Sequence, residues 1–440
     1  MTKKSNINSF PSKLDLTLDV NMPHLKDLSH QLGKEIGLRD VRQQKTLRVL
    51  LCNMVINGVN EVMVSLKNKA SDGKKYNPLN IGPNSKRRAL NLLEEAGYII
   101  QKKGDFTANK RTTMLPTDKL IKWFRISNWS IEDIEFRVGS YITLRKNKKD
   151  NNKPSYIDFE DTKYSIWLSE ELKKYNQLLS ETKLTILSED GSEEEPLKKT
   201  IIRRAFIKHN FMEGIENTEF IFGGRMYGPW IDYSQEVRKR IRINGGLTTE
   251  LDRKASHLNA MYQVITGKPC SYDDAYDLTI GDIKVPRHIA KNFCSFMQGS
   301  SSPRGTAQRV FNHYKYKALE VDNPKQKDVE KHKDYVRFKK KVKPTAIVEA
   351  ILKRHPKVGK SYMKGKAYGD FIGCWESDLV FEVVMELTRR GIPCLTVYDS
   401  FIVPTQYKKL VDSIKDNIPY VDRRGISKIF SRLDNYKDNQ

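Results

Sequence analysis

The chain is short of every feature that would staple it covalently or fix it in a membrane. Its five cysteines, Cys52, Cys270, Cys294, Cys374 and Cys394, are scattered over 440 residues and form no CxxC pair. That pattern indicates neither a zinc ribbon nor a disulfide framework, and the thiols read as reduced core residues. No apolar run approaches the ~18 residues of a membrane helix, and the start, MTKKSNINSFPSK, lacks an apolar signal core. A soluble, cytoplasmic protein with no membrane partner is expected. Acidic residues are also scarce, with 54 Asp and Glu against 78 Lys and Arg, a net charge of +24. Such a surplus draws polyanions to the surface, and nucleic acid is the expected partner. A basic surface kept only for solubility is the blander reading. It fits less well, because the charge is interleaved with 20 Tyr and 17 Phe rather than gathered in one tail. With 38% apolar residues the chain can build real cores, and its length allows two or three domains.

Residues 1–28 are polar and irregular and read as a flexible arm. From Leu32 to Leu66 apolar residues recur at helical spacing. Pro83-Asn84-Ser85 then looks like a helix start with Ser85 as N-cap, and Gly97 looks like its stop. Tyr98 to Gly104 and Phe106 to Leu115 read as a strand, a turn and a returning strand. Helix, helix and hairpin over 29–125 resemble a winged helix-turn-helix. That resemblance implies that Lys86, Arg87 and Arg88 enter a duplex groove and that Lys102, Lys103, Lys110 and Arg111 flank the wing. A winged helix used only for packing is the alternative. Residues 126–200 read as a connector or thumb-like region. Within it, 145–153 is a basic loop, and the acidic run Ser188 to Glu195 reads as a module boundary. The Lys-rich segment from Asn323 to Lys343 reads either as an exposed helix on backbone phosphates or as a solvated face.

Four segments beyond residue 201 carry the chemistry. Gly223-Gly224-Arg225, followed by Tyr227, offers close backbone approach to a ligand and a phosphate-seeking guanidinium. Asp252 ends an extended run and precedes a helix-like run containing His257. After Pro286, Arg287 and Lys291 stand four apart, on one helix face, with Gln298 near it. Asp399 follows Leu395-Thr396-Val397-Tyr398 at another strand end. Two carboxylates at neighbouring strand ends suit two Mg²⁺ ions and phosphoryl transfer. An aspartate after a strand can equally be an N-cap. Glu376 and Asp378 read evenly as helix-start residues or site residues. Val358-Gly359-Lys360-Ser361 mimics the end of a phosphate loop, but Arg354 stands where its first glycine must be.

The order of these segments resembles the palm and fingers of family A DNA polymerases and the single-subunit phage-type RNA polymerases, over about residues 200–405. The resemblance implies an α+β fold: an N-terminal winged helix, then a right-hand polymerase at 201–440 with an antiparallel palm sheet and helical fingers. It implies Asp252 and Asp399 as metal-binding catalytic residues for two Mg²⁺ ions. It also implies Arg287, Lys291, Gln298 and His257 around the nucleotide, and Arg225 and Tyr227 on the template-primer. Tyr398 stands where the family has histidine, and Gln298 where tyrosine is usual. The bulk of His257 tips the expectation toward deoxynucleotides, and Ser400 toward ribonucleotides. The expected activity is that of a compact DNA-dependent DNA polymerase from a phage or mobile element, acting on primed DNA and nucleoside triphosphates. A single-subunit RNA polymerase and a non-catalytic replication initiator or repressor are the alternatives.

Overall fold

A computed structural model describes residues 12–58, 60–66, 74–104, 112–146, 156–197, 200–209, 219–321 and 324–425. The fold is mixed α+β. Lys110, Arg111 and most of the basic loop at 145–153 lie outside the described residues.

The N-terminal unit packs helices Pro23–Glu35, Val41–Asn57, Pro83–Glu95 and Asp118–Ile126 against a four-stranded sheet. Its strand order is Ser12–Lys13, Val62–Val64, Thr112–Pro116, Ile99–Lys102. Residues 12–28 are therefore not a loose arm. Leu16, Leu18, Val20 and Leu25 are buried, and Leu18–Val20 pairs with Ile134–Phe136. Trp129 and Ile134 join the same core, which runs past residue 125. The Pro83–Glu95 helix begins two residues before the expected cap, because proline at its first position already has helical φ and no N–H to satisfy. Gly97, at φ +74°, ends it as expected. Its packed stripe is Lys86, Ala89, Leu90 and Leu93. Lys86 is only 6% exposed and faces the core, so it is unavailable to a groove. Arg87 and Arg88 stay exposed, Arg87 bonding Asn84 and the Leu66 carbonyl. On the hairpin, exposed Lys102 is paired with Glu61, and Lys103 is also exposed.

The second half is built on a six-stranded, wholly antiparallel sheet. Its order is Leu395–Val397, Ser400–Pro404, Gly246–Asp252, Ile241–Ile243, Leu184–Leu187, Glu194–Pro196. The acidic run at 188–195 is the outer hairpin of this sheet, not a boundary: Glu194–Pro196 pairs back antiparallel onto Leu184–Leu187. Nor does 126–200 project as a thumb. Helix Lys163–Ser180 lies in the sheet's core through Leu168, Leu172 and Tyr175, whose hydroxyl donates to the Cys394 carbonyl at 2.6 Å. A smaller sheet joins Gly223–Met226, Arg204–Lys208 and Ile142–Lys146.

Helices Ser256–Thr266, Arg287–Met297, Pro303–Lys315, Gln326–Lys341 and Pro344–Arg354 form a helical lobe with its own core. Helix Lys366–Arg389 serves both cores, giving Phe371 and Trp375 to the lobe and Cys374, Val380, Phe381 and Val384 to the sheet. This shared helix joins the sheet to the lobe. Among the described residues no helix is long and apolar enough to cross a membrane.

Candidate active site

Asp252 and Asp399 converge. Gly246–Asp252 and Ser400–Pro404 are antiparallel neighbours in the sheet, and their register places Asp252 opposite Ser400. Ser400 donates its hydroxyl to Asp252 Oδ1, and the Arg253 amide donates to the Asp399 carbonyl at 3.4 Å. Two carboxylates 147 positions apart in sequence thus share one end of two adjacent strands. Asp252 is exposed and Asp399 half-buried. Among the described residues neither forms an ion pair.

The turn that presents Asp399 is strained. Val397 pairs with Ser400, so Tyr398 and Asp399 alone make the hairpin loop. Tyr398 has φ +57°, a conformation that such a turn usually gives to glycine. A bulky residue there is held by its surroundings, as is common at functional sites. The Tyr398 ring is 47% exposed, with the Arg225 guanidinium 5.6 Å from its centre.

A third carboxylate faces the pair. Glu376 lies in the middle of helix Lys366–Arg389, not at its start, and is buried. It accepts from Arg225 at 2.8 Å. Burial, then the charge of Glu376, then that of Asp252 push the Asp399 carboxyl up to about 6, with Lys291 acting the other way. Arg253, 5% exposed, sits behind the group and donates to the Lys415 carbonyl at 2.9 Å. Sequence reasoning missed Arg253, although its place directly after Asp252 was a usable signal.

The lobe supplies the opposite wall. Lys291 is exposed, and its charge reaches both Asp399 and His257. Arg287 opens the same helix, but it is engaged with Asp274 at 2.8 Å and lies 5.2 Å from the Tyr276 ring centre. That ion pair is solvent-exposed, so a phosphate can displace it at small cost. Gln298 keeps the face of Lys291 but lies ~10 Å farther along the helix, at its C-terminal end. Burial pushes the His257 imidazole down to about 4, so the ring is neutral at pH 7. Its Nε2 is buried with no hydrogen-bond partner among the described residues. Tyr227 is exposed beside the Gly223–Met226 strand.

The two glycines before Arg225 serve the protein rather than a ligand. Gly223 and Gly224 have φ of +79° and +80°. A Cβ on Gly224 would stand 2.7 Å from Arg204 Nη2 and 2.9 Å from both Phe206 Cε1 and Ser377 Oγ. The close approach is to the strand and helix that position Arg225. Gly224→Ala should therefore cost about 2–4 kcal/mol, from positive φ plus overpacking, read by chemical denaturation. A change within error of the parent would mean that this junction is looser than the contacts indicate.

The donor set suits a hard divalent cation: two carboxylates with no cationic partner in contact, in a site whose negative charge is already crowded. Among the described residues no group of three or more His, Cys, Asp or Glu is placed to hold a metal ion. Mg²⁺ is commonly held by one or two carboxylates, its remaining ligands being water and substrate phosphate.

Comparison with family models, curated proteins and solved structures found no match.

Proposed function

We propose that the chain is a template-directed nucleotidyltransferase, a compact DNA polymerase acting on a primed template. The observation that carries this reading is the convergence of Asp252 and Asp399 at one end of the central strands, facing the cationic helix Arg287–Met297. Asp252 and Asp399 would hold two Mg²⁺ ions, which would supply charge stabilisation for phosphoryl transfer. Lys291, and Arg287 once released from Asp274, bind the triphosphate and hold its α-phosphate near the carboxylates, so that positioning and charge stabilisation lower the barrier. Glu376 fixes the Arg225 guanidinium, which then reaches backbone phosphate as part of an anchored unit. The neutral imidazole of His257 forms an uncharged wall where the sugar would lie. Arg87, Arg88 and Lys103 remain exposed for duplex contact by the N-terminal unit; Lys86 is not among them.

Primer extension tests this reading. Purified protein with Mg²⁺, a primed DNA template and dNTPs should lengthen the primer. Extension with NTPs alone would assign it to RNA synthesis. No extension with either, together with tight duplex binding, would leave a non-catalytic DNA binder.

The pH profile follows from Asp399. Its carboxyl ionises near 6 rather than at the ordinary ~3.9. Protonation removes a metal ligand, so activity should fall as pH drops through about 6, approaching tenfold per unit below it. Added Mg²⁺ competes with the proton and should move the midpoint lower. A rate flat from pH 7 to 5 would contradict this assignment.

A further inference from the structure

The helical lobe carries a second feature that the catalytic reading does not use. Residues 287–364 hold twenty Lys and Arg against six Asp and Glu, a surplus of fourteen out of the chain's +24. On helix Gln326–Lys341, Tyr335 and Phe338 face the core, while Lys333, Arg337 and Lys340 recur at i, i+4 and i+7 on the opposite, exposed side. Among the described residues the stripe has one acidic contact, Asp334 at 3.9 Å from Arg337. Like charges at this spacing repel and weaken an isolated helix, so the stripe costs stability unless a polyanion lies along it.

A second, independent feature adjoins it. Helix Pro303–Lys315 runs into a π-helical turn, Tyr316–Glu320, that packs against helix Gln326–Lys341. Such turns often mark functional sites. This one holds Tyr316 56% exposed and Leu319 62% exposed, although the lobe has a core that could bury them. Lys317 follows Tyr316 directly, and the charges of Lys317 and Lys331 both bear on His313 at this end of the lobe. An exposed aromatic ring on an element packed against the helix that carries a track of cations is a combination suited to single strands: phosphates meet the cations, and an unpaired base stacks on the ring. A duplex hides its base faces and would leave Tyr316 without a role.

We infer that this surface holds single-stranded nucleic acid outside the catalytic cleft, with Tyr316 stacking on a base and Lys333, Arg337 and Lys340 following the backbone. The inference does not depend on the catalytic assignment.

Anisotropy of a fluorescent oligo-dT of about 16 nucleotides with the full chain tests it. Changing Lys333, Arg337 and Lys340 together to Gln should weaken binding at least tenfold at moderate salt and reduce the slope of log K against log salt by about 2. Tyr316→Ala should weaken single-strand binding by about tenfold while leaving duplex binding unchanged, and Tyr316→Phe should restore it. All these residues are exposed, so the Tyr316 variants should melt with the parent and the triple variant at or slightly above it. Parental affinity in both the triple variant and Tyr316→Ala would overturn the inference. So would equal losses for single strand and duplex in Tyr316→Ala, or tighter binding to anionic vesicles than to the oligonucleotide. A parent that binds it through this lobe yet never extends a primer would remove the catalytic reading and leave this one standing.

Discussion

If the chain is the proposed polymerase, Asp399→Asn should abolish nucleotide incorporation, by about three orders of magnitude or more, and it should raise the melting temperature at neutral pH. The loss follows from the proposed role. A metal-held oxygen is worth several kcal/mol of transition-state stabilisation, and each 1.36 kcal/mol is tenfold in rate. Asparagine keeps the shape of the side chain, but it is a poor ligand for a hard cation. The gain in stability has a different origin. Burial, Glu376 and Asp252 raise the folded-state pKa of Asp399 to about 6, so the fold binds this proton more tightly than the unfolded chain does. Stability is therefore present in full below the ordinary carboxyl range, falls as pH rises from ~4 to about 6, and stays lower above. The neutral asparagine escapes that loss. Opposite signs on activity and stability would mark the site as one whose strain serves function. Asp252→Asn should match the activity loss. Steady-state primer extension and thermal melting read both effects, and an Asp399→Asn enzyme with parental rate would remove Asp399 from the chemistry.

Asp378→Asn destabilises the fold by about 3–5 kcal/mol. Asp378 accepts from Arg204 at 2.9 Å and from Arg424, whose side chains are 1% and 6% exposed. Arg204 also donates to the Gly224 carbonyl at 2.7 Å and to Ser377 at 3.1 Å, tying the Gly223–Met226 strand to helix Lys366–Arg389. Removing the carboxylate charge leaves two buried guanidinium groups with no carboxylate in contact among the described residues. The cost is the penalty of stranding those charges rather than the net worth of the pair. Because Arg225 and Glu376 stand on the same strand and helix, incorporation should also fail at a lower temperature than in the parent. Urea unfolding measures the first effect. A cost below 1 kcal/mol would mean that water reaches the cluster.

That Asp252 and Asp399 lie at strand ends was legible because their sequence context is local. Leu395-Thr396-Val397 and Phe401-Ile402-Val403 are plain strands around a short turn, and the ends of neighbouring strands gather at one end of a sheet. Glu376 was only half legible, reading evenly as a helix-start or a site residue. Its helix begins ten residues earlier, at Lys366 after Gly365 with φ +93°, and only that longer helix carries it past the strand tips. Lys86 was misread for a related reason. Moving the helix start from Ser85 to Pro83 leaves the apolar stripe intact, but Lys86 is in phase with Ala89, Leu90 and Leu93, and burial overrides its charge. The paired glycines were recognised as a close approach, whereas what approaches, Arg204 and Ser377, comes from distant segments. The region taken for a thumb has helical periodicity in Lys163–Ser180, but periodicity does not say which surface an apolar face will cover.

The central claim is that Asp252 and Asp399 together form a divalent-cation site. Thermal melting at neutral pH, with and without millimolar Mg²⁺, addresses it without assuming any substrate. The parent should melt higher with Mg²⁺, because a ligand that binds only the folded state stabilises it. Asp252→Asn and Asp399→Asn should lose that response. Equal Mg²⁺ shifts in all three proteins would contradict the account.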